Sequence, residues 1–185
     1  MPLTTLDPLT ALVVIDLQKG IVSVATVHPI EVVLDNASSL AGAFRAKQLP
    51  VVLVNVAGGA PGRSEQARPS LERSADWTEL VPELHQQSDD HPVTKFTWGA
   101  FTGTGLEEIL KERGVTQVVL AGVSTSVGVE STARQAFELG FNVTIAVDAV
   151  TDRDAEAHRN SVERIFPKLG ETGTTRDIIG LLESR

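Results

Sequence analysis

Apolar residues fall in short, β-branched runs separated by longer segments in which they recur every three or four positions. The runs are Ala11–Ile15, Val51–Val54, Val118–Leu120 and Val143–Val147. Each is nearly continuous rather than alternating, as expected of a strand covered on both faces of a parallel sheet. Between them, Leu34, Ala37, Leu40, Ala41 and Phe44 lie at helical spacing. So do Leu106, Ile109 and Leu110, and then Val129, Ala133, Ala136, Phe137 and Gly140. Pro50, Gly114 and Gly140 close several of these units. Alternating strand and helix imply right-handed crossovers. The pattern predicts an α/β fold, a three-layer helix–sheet–helix sandwich around a mostly parallel sheet.

Residues 57–92 break the rhythm. They are polar and rich in Gly and Pro, and predict a long excursion with one short helix near Trp77–Leu84. Loops of this length serve as lids or interface arms, or are plain surface loops. The 185 residues fit one domain, 1–185.

Composition narrows the function. A net charge of −8 argues against a nucleic-acid partner. The chain has no cysteine, which excludes disulfides, thiolate metal sites and a cysteine nucleophile. No apolar run approaches the ~18 residues of a membrane span. The opening MPLTTLDPLT lacks a basic stretch leading into an apolar one, so it does not read as a signal peptide. The expectation is a cytoplasmic protein with a small-molecule substrate, no membrane partner and no cofactor.

In open parallel sheets ligands bind beyond the carboxyl ends of the strands. Asp16 ends the first apolar run, where a carboxylate must be solvated, paired or functional. Lys95 follows a short candidate strand and is flanked by Val93, Phe96 and Trp98. A lysine held there pairs with Asp16 or binds a substrate anion. The turn Gly122-Val123-Ser124-Thr125 leads into a helix, whose first amide groups favour an oxyanion or carboxylate. It also fits an ordinary connection with Ser124 or Thr125 as N-cap. Phe96, Trp98 and Phe101 fit an apolar substrate wall and plain core packing equally. Ser126 is rotated by about 200° from Gly128 around a helix. Ser131 lies about a turn deeper. Neither has an evident histidine base, since His28, His85, His91 and His158 are scattered. Asp89-Asp90-His91 is the nearest approach to a metal cluster, but it lacks a second group and reads as a solvated acidic turn.

Three stretches together, LVVIDLQKG, VTKFTWGAF and LAGVSTSVGVESTARQAFELGFNVTIAVDAVTD, resemble the isochorismatase-like hydrolase superfamily over nearly the whole chain. The resemblance implies an about six-stranded parallel sheet between helices and a homo-oligomer, dimer or tetramer. It matches Asp16 to the family's acid/base, Lys95 to its lysine and Gly128 to the position of its nucleophile. It implies a cis peptide between Val123 and Ser124 that aims backbone amides at a substrate oxygen; together with the residue reading above, this makes Val123, Ser124, Thr125, Phe96 and Trp98 the candidate substrate-binding residues. Cysteine-dependent members read G-V-x-T-x-x-C-V at the turn, and here Gly128 replaces the sulfur. The metal-binding Asp-x-His of nicotinamidases is also missing from VNVAGGAPG. Isochorismatase proper likewise carries Gly, and cleaves a vinyl ether without a covalent intermediate. On that model Asp16 is a general acid. A catalytically silent binding protein, or a cysteine amidohydrolase whose nucleophile at 128 has been replaced, fits the same residues.

Overall fold

The computed structural model describes residues 3–65 and 74–184. Six strands form one sheet: β1 Thr10–Ile15, β2 Val51–Val56, β3 His91–Lys95, β4 Gln117–Val123, β5 Asn142–Thr151 and β6 Glu171–Gly173. Their order is β3-β2-β1-β4-β5-β6, and all neighbours run parallel. The longer helices are α1 Ile30–Ala46, α2 Leu106–Glu112, α3 Glu130–Glu138, α4 Ala155–Asn160 and α5 Thr175–Glu183, and a single helical turn, Lys19–Val22, precedes α1. A π-helical turn, Thr125–Val129, precedes α3. A second π segment, Ser161–Ile165, follows α4 and leads to a helical turn at Phe166–Leu169.

The two-residue period of each central strand feeds two cores. Leu12, Val14, Leu53, Val119 and Ala121 face α1 and α5, meeting Leu40, Phe44, Ile178 and Leu182. Val13, Ile15, Val52, Val54, Val118 and Leu120 face α2 and α3, meeting Leu106, Leu110, Ala133 and Ala136. Burial on both faces is why these strands read as unbroken apolar runs. The sandwich expected from the pattern is therefore the observed architecture.

The polar excursion contains less helix than expected. In place of a helix over Trp77–Leu84 there is a turn around Trp77, an isolated bridge from Leu80 to Gln18, and a 3-10 turn at Pro82–Leu84. Pro82, without an N–H, can start a helical turn but not continue one from upstream. The excursion ends in β3, which begins at His91. Its residues 66–73 lie outside the described residues, so the lid or interface expectation falls partly there.

β1 leads to β2 and β3 on one side, and the chain then crosses to β4 on the other side of β1. The order reverses between β1 and β4, and in open parallel sheets ligands bind at such a point, beyond the carboxyl ends of the strands. β4 lies close against β1 because of Gly122. Its φ is +118°, and a Cβ there would stand 2.0 Å from the Ile15 carbonyl oxygen.

Candidate active site

The candidate site is built from the ends of three strands. Asp16 follows β1 directly with φ 54°, a left-handed conformation that Asp tolerates better than most residues. This bend turns its carboxyl back over the sheet. Lys95 closes β3, two strands away, and its long stem spans β2. Its Nζ lies 2.8 Å from Asp16 Oδ2 and donates to the Thr97 carbonyl at 3.1 Å. Both members of the pair are buried, Asp16 to 6% exposure and Lys95 to 1%.

Gly128 comes from β4 by way of the π-helical turn. An ideal Cβ on it would stand 3.0 Å from Ile15 Cγ2, 3.3 Å from Asp16 Oδ2 and 3.4 Å from the Val123 carbonyl oxygen. Residue 128 thus faces the Asp16 carboxyl, and the structure brings Asp16, Lys95 and Gly128 together. The Val123–Ser124 peptide is cis, as the resemblance implies.

The Asp16 carboxyl is electrostatically unusual. Burial pushes its pKa from 3.8 up to about 6, against the opposing pull of the Lys95 charge and hydrogen bond. Oδ2 serves Lys95, whereas Oδ1 is buried and has no hydrogen-bond partner among the described residues. A buried acceptor of this kind is costly unless something pairs with it or a proton occupies it.

The turn after β4 differs in detail from the expected connection. Ser124 is the N-cap but makes no side-chain cap bond. Asp152, buried just after β5, caps the turn from outside. Its Oδ2 accepts from the Ser126 amide at 2.7 Å and from Ser126 Oγ at 2.8 Å, while Oδ1 accepts from the Arg153 amide at 2.7 Å. A carboxylate at a helix N-terminus is favoured by the helix dipole. This occupies the Ser126 hydroxyl and amide, leaving neither for a substrate oxygen. The Ser124 carbonyl accepts from both Val127 and Val129 amides at 3.1 Å, the i→i+5 step that makes this turn a π-helix. Such turns recur at functional sites.

Two histidines that the sequence leaves scattered are neighbours. His28 and His158 pack edge to face with ring centroids 4.8 Å apart. His158 Nδ1 lies 2.9 Å from Thr125 Oγ1, and His28 Nδ1 lies 3.2 Å from Thr151 Oγ1. Burial, then the nearby His28, lower the His158 pKa. Gln18 also escaped sequence reasoning. Fully buried, it exchanges hydrogen bonds with both backbone groups of Val56 and donates to the Trp77 carbonyl. It thereby ties the chain leaving β2 to the end of β1. A Gln two residues after the candidate Asp was the available signal.

The three aromatic residues divide. Phe96 and Trp98 stand exposed, at 59% and 65%, beyond Lys95 at the carboxyl end of the sheet. Phe101 is half-buried and stacks on Phe141 at 5.8 Å, so core packing wins for that ring. Asp90 pairs with Arg45 at 2.7 Å and caps the Gln87 amide. It sits beside His91 at the amino end of β3, the opposite end of that strand from Lys95.

Comparison with known proteins agrees with this geometry. The model of the Isochorismatase domain matches residues 10–177. YwoC of Bacillus subtilis, an isochorismatase family protein, is 43% identical over 177 residues, 92% of either chain. YecD of Escherichia coli O157:H7, also described as an isochorismatase family protein, is 41% identical over 180 residues, 94% of this chain and 96% of its own. The structure of an isochorismatase family protein from Burkholderia thailandensis superposes with a TM-score of 0.92 at 40% identity, covering 97% of this chain and 98% of that one. With a family model spanning nearly all of its sheet and relatives similar from end to end, this chain belongs to the isochorismatase family.

Proposed function

We propose that this protein hydrolyses a small molecule without a covalent intermediate, with Asp16 as general acid. The observation that carries the reading is the Asp16 carboxyl. It is buried, its pKa is raised to about 6, and Oδ1 lacks a partner. A carboxyl of that kind holds a proton that it can deliver. Residue 128 supports the same reading, because a glycine supplies no nucleophile and leaves Asp16 open from that side.

The substrate class is an enol ether whose ether-bearing carbon also carries a carboxylate. The Asp16 carboxyl gives its proton to the terminal methylene carbon, and the ether-bearing carbon becomes an oxocarbenium ion. Water adds to that carbon and returns a proton to the Asp16 carboxylate. The hemiketal then breaks its carbon–oxygen bond, releasing an alcohol and a keto acid. Lys95 limits the charge change at Asp16 through its 2.8 Å contact. The exposed rings of Phe96 and Trp98, which follow Lys95 in the chain, offer apolar surface for a substrate.

The test is pyruvate release from isochorismate by the protein as it stands, beside an Asp16→Ala control. Pyruvate formed only with Asp16 intact is the expected result. No pyruvate from either protein would end the vinyl-ether reading.

One observation favours a second reading, a thiol amidohydrolase whose nucleophile has been replaced. A side chain at 128 asks for only small shifts, since an ideal Cβ there would stand 3.0 Å from Ile15 Cγ2, 3.3 Å from Asp16 Oδ2 and 3.4 Å from the Val123 carbonyl oxygen, within a few tenths of an ångström of ordinary contact. On this reading Gly128→Cys folds normally, and its thiol, with Asp16 as base, gains hydrolysis of simple amides that the parent lacks. Assay of both proteins on a panel of carboxamides and carbamoyl amides decides it. A folded but inert Cys variant rules the second reading out.

A further inference from the structure

Lys95 has a positioning problem. Its stem is long and flexible, and its strand β3 is an edge strand that pairs only with β2. Asp16 lies beyond β2, just past the end of β1. Sheet pairing alone therefore does not set where the ammonium group rests. The chain that follows Lys95 does so, because Nζ also donates to the Thr97 carbonyl.

That chain is fastened to α3. The Ala100 amide donates to Thr132 Oγ1 at 3.1 Å, and the Phe101 amide donates to Gln135 Oε1 at 3.1 Å. Gln135 Nε2 donates in turn to Thr102 Oγ1 at 2.6 Å. Gly99 makes the approach possible, since a Cβ there would stand 2.1 Å from Gln135 Oε1. Thr132 Oγ1 also donates to the Gly128 carbonyl at 2.7 Å. Threonines in helices often bond the carbonyl four residues back. Thr132 differs in that its single hydroxyl, fully buried, accepts from a second element as well. The carbonyl it holds belongs to residue 128, whose Cα faces Asp16.

We propose that Thr132, supported by Gln135, is a positioning residue of this site. Its hydroxyl clamps the loop that follows Lys95 to the backbone of residue 128, and so fixes the ammonium group against Asp16. The inference rests on the reading of Asp16 and Lys95 as the reacting pair. It assigns work to a buried hydroxyl that touches neither of them.

The test compares the intact protein with Thr132→Val, which keeps the branched volume and removes the hydroxyl, and with Thr132→Ser, which keeps the hydroxyl. The Asp16 side-chain carboxyl carbon is titrated by 13C NMR, a measurement that needs no substrate. In Thr132→Val the ammonium group loosens, and the Asp16 midpoint rises from about 6 by about one pH unit. In Thr132→Ser it returns to the parent value. Where turnover is measurable, kcat of Thr132→Val falls by about tenfold to a hundredfold with KM little changed. Gln135→Met loosens the same loop from its half-buried side and shifts the midpoint less, in the same direction, should Thr132→Val fold poorly. An unchanged Asp16 midpoint in these variants, whatever happens to Tm, overturns the proposal. If the parent shows no turnover on any substrate, the hydrolase reading falls, while the titration still decides the clamp.

Discussion

Asp16→Asn lowers kcat/KM by about two to four orders of magnitude, the usual worth of a positioned general acid. The variant keeps the shape of the side chain and an oxygen for Lys95, so the loss reports the missing proton. The pH profile of the parent carries the sharper test. A general acid works in its protonated form. With the Asp16 pKa at about 6, kcat/KM is level below that pH and falls about tenfold per unit above it. In Asp16→Asn this inflection disappears. A parent rate that instead rises through pH 6 would mean that the carboxylate is the working form, and Asp16 would then be a base. On the second reading the profile of Gly128→Cys acting on amides runs the other way, rising through the Asp16 pKa, because a thiol at residue 128 needs Asp16 to accept its proton.

Much of this arrangement could be read from the sequence, for identifiable reasons. The four inner strands were visible because both of their faces are buried, which removes polar residues from them. β3 and β6 were harder. β3 reads HPVTK, with exposed and buried residues alternating at the sheet edge, and β6 has only three residues. Asp16 and Lys95 stood out as charges in apolar surroundings, a pattern that forces either pairing or function. The pair at 2.8 Å is the outcome.

Asp152 was missed for a different reason. The sequence shows a strand ending near Val147, but β5 continues to Thr151 after a register shift against β4. That extension brings Asp152 to the Ser126 amide, a contact no local pattern announces. The partnership of Thr125 with His158 likewise joins residues 33 apart. Helical phase told against Ser126, and the structure agrees by another route, since Asp152 holds its hydroxyl. What remained hidden was side-chain hydrogen bonding between elements. Thr132 looks like any small helix residue until Ala100 and Gly128 are seen on either side of it.

Lys95→Met should unfold far more easily than the parent at pH 8, by about 3–5 kcal/mol, because it leaves a buried carboxylate without its cation. For a chain of this size that is a fall in Tm on the order of 10 °C. The cost depends on pH in a direction that can be worked out. Removing Lys95 removes the two influences that hold the Asp16 pKa down, so its folded value rises above about 6 while the unfolded value stays near 3.8. A folded-state pKa above the unfolded one gives stability that is fully present below pH 3.8 and is lost as pH rises through the folded value. The deficit of Lys95→Met is therefore large at pH 8 and shrinks toward pH 5, where the lone carboxyl is protonated. Urea unfolding at the two pH values measures it. A deficit equal at both would trace to lost packing of the lysine stem, and the electrostatic account would fail. Adding Asp16→Asn to Lys95→Met should recover most of the loss at pH 8, since neither charge is then left alone in the interior. That recovery would show that the pair does not serve stability. A buried acid and a buried cation that the fold could do without, held 2.8 Å apart beside Gly128, would fit the role proposed for Asp16 as a proton donor.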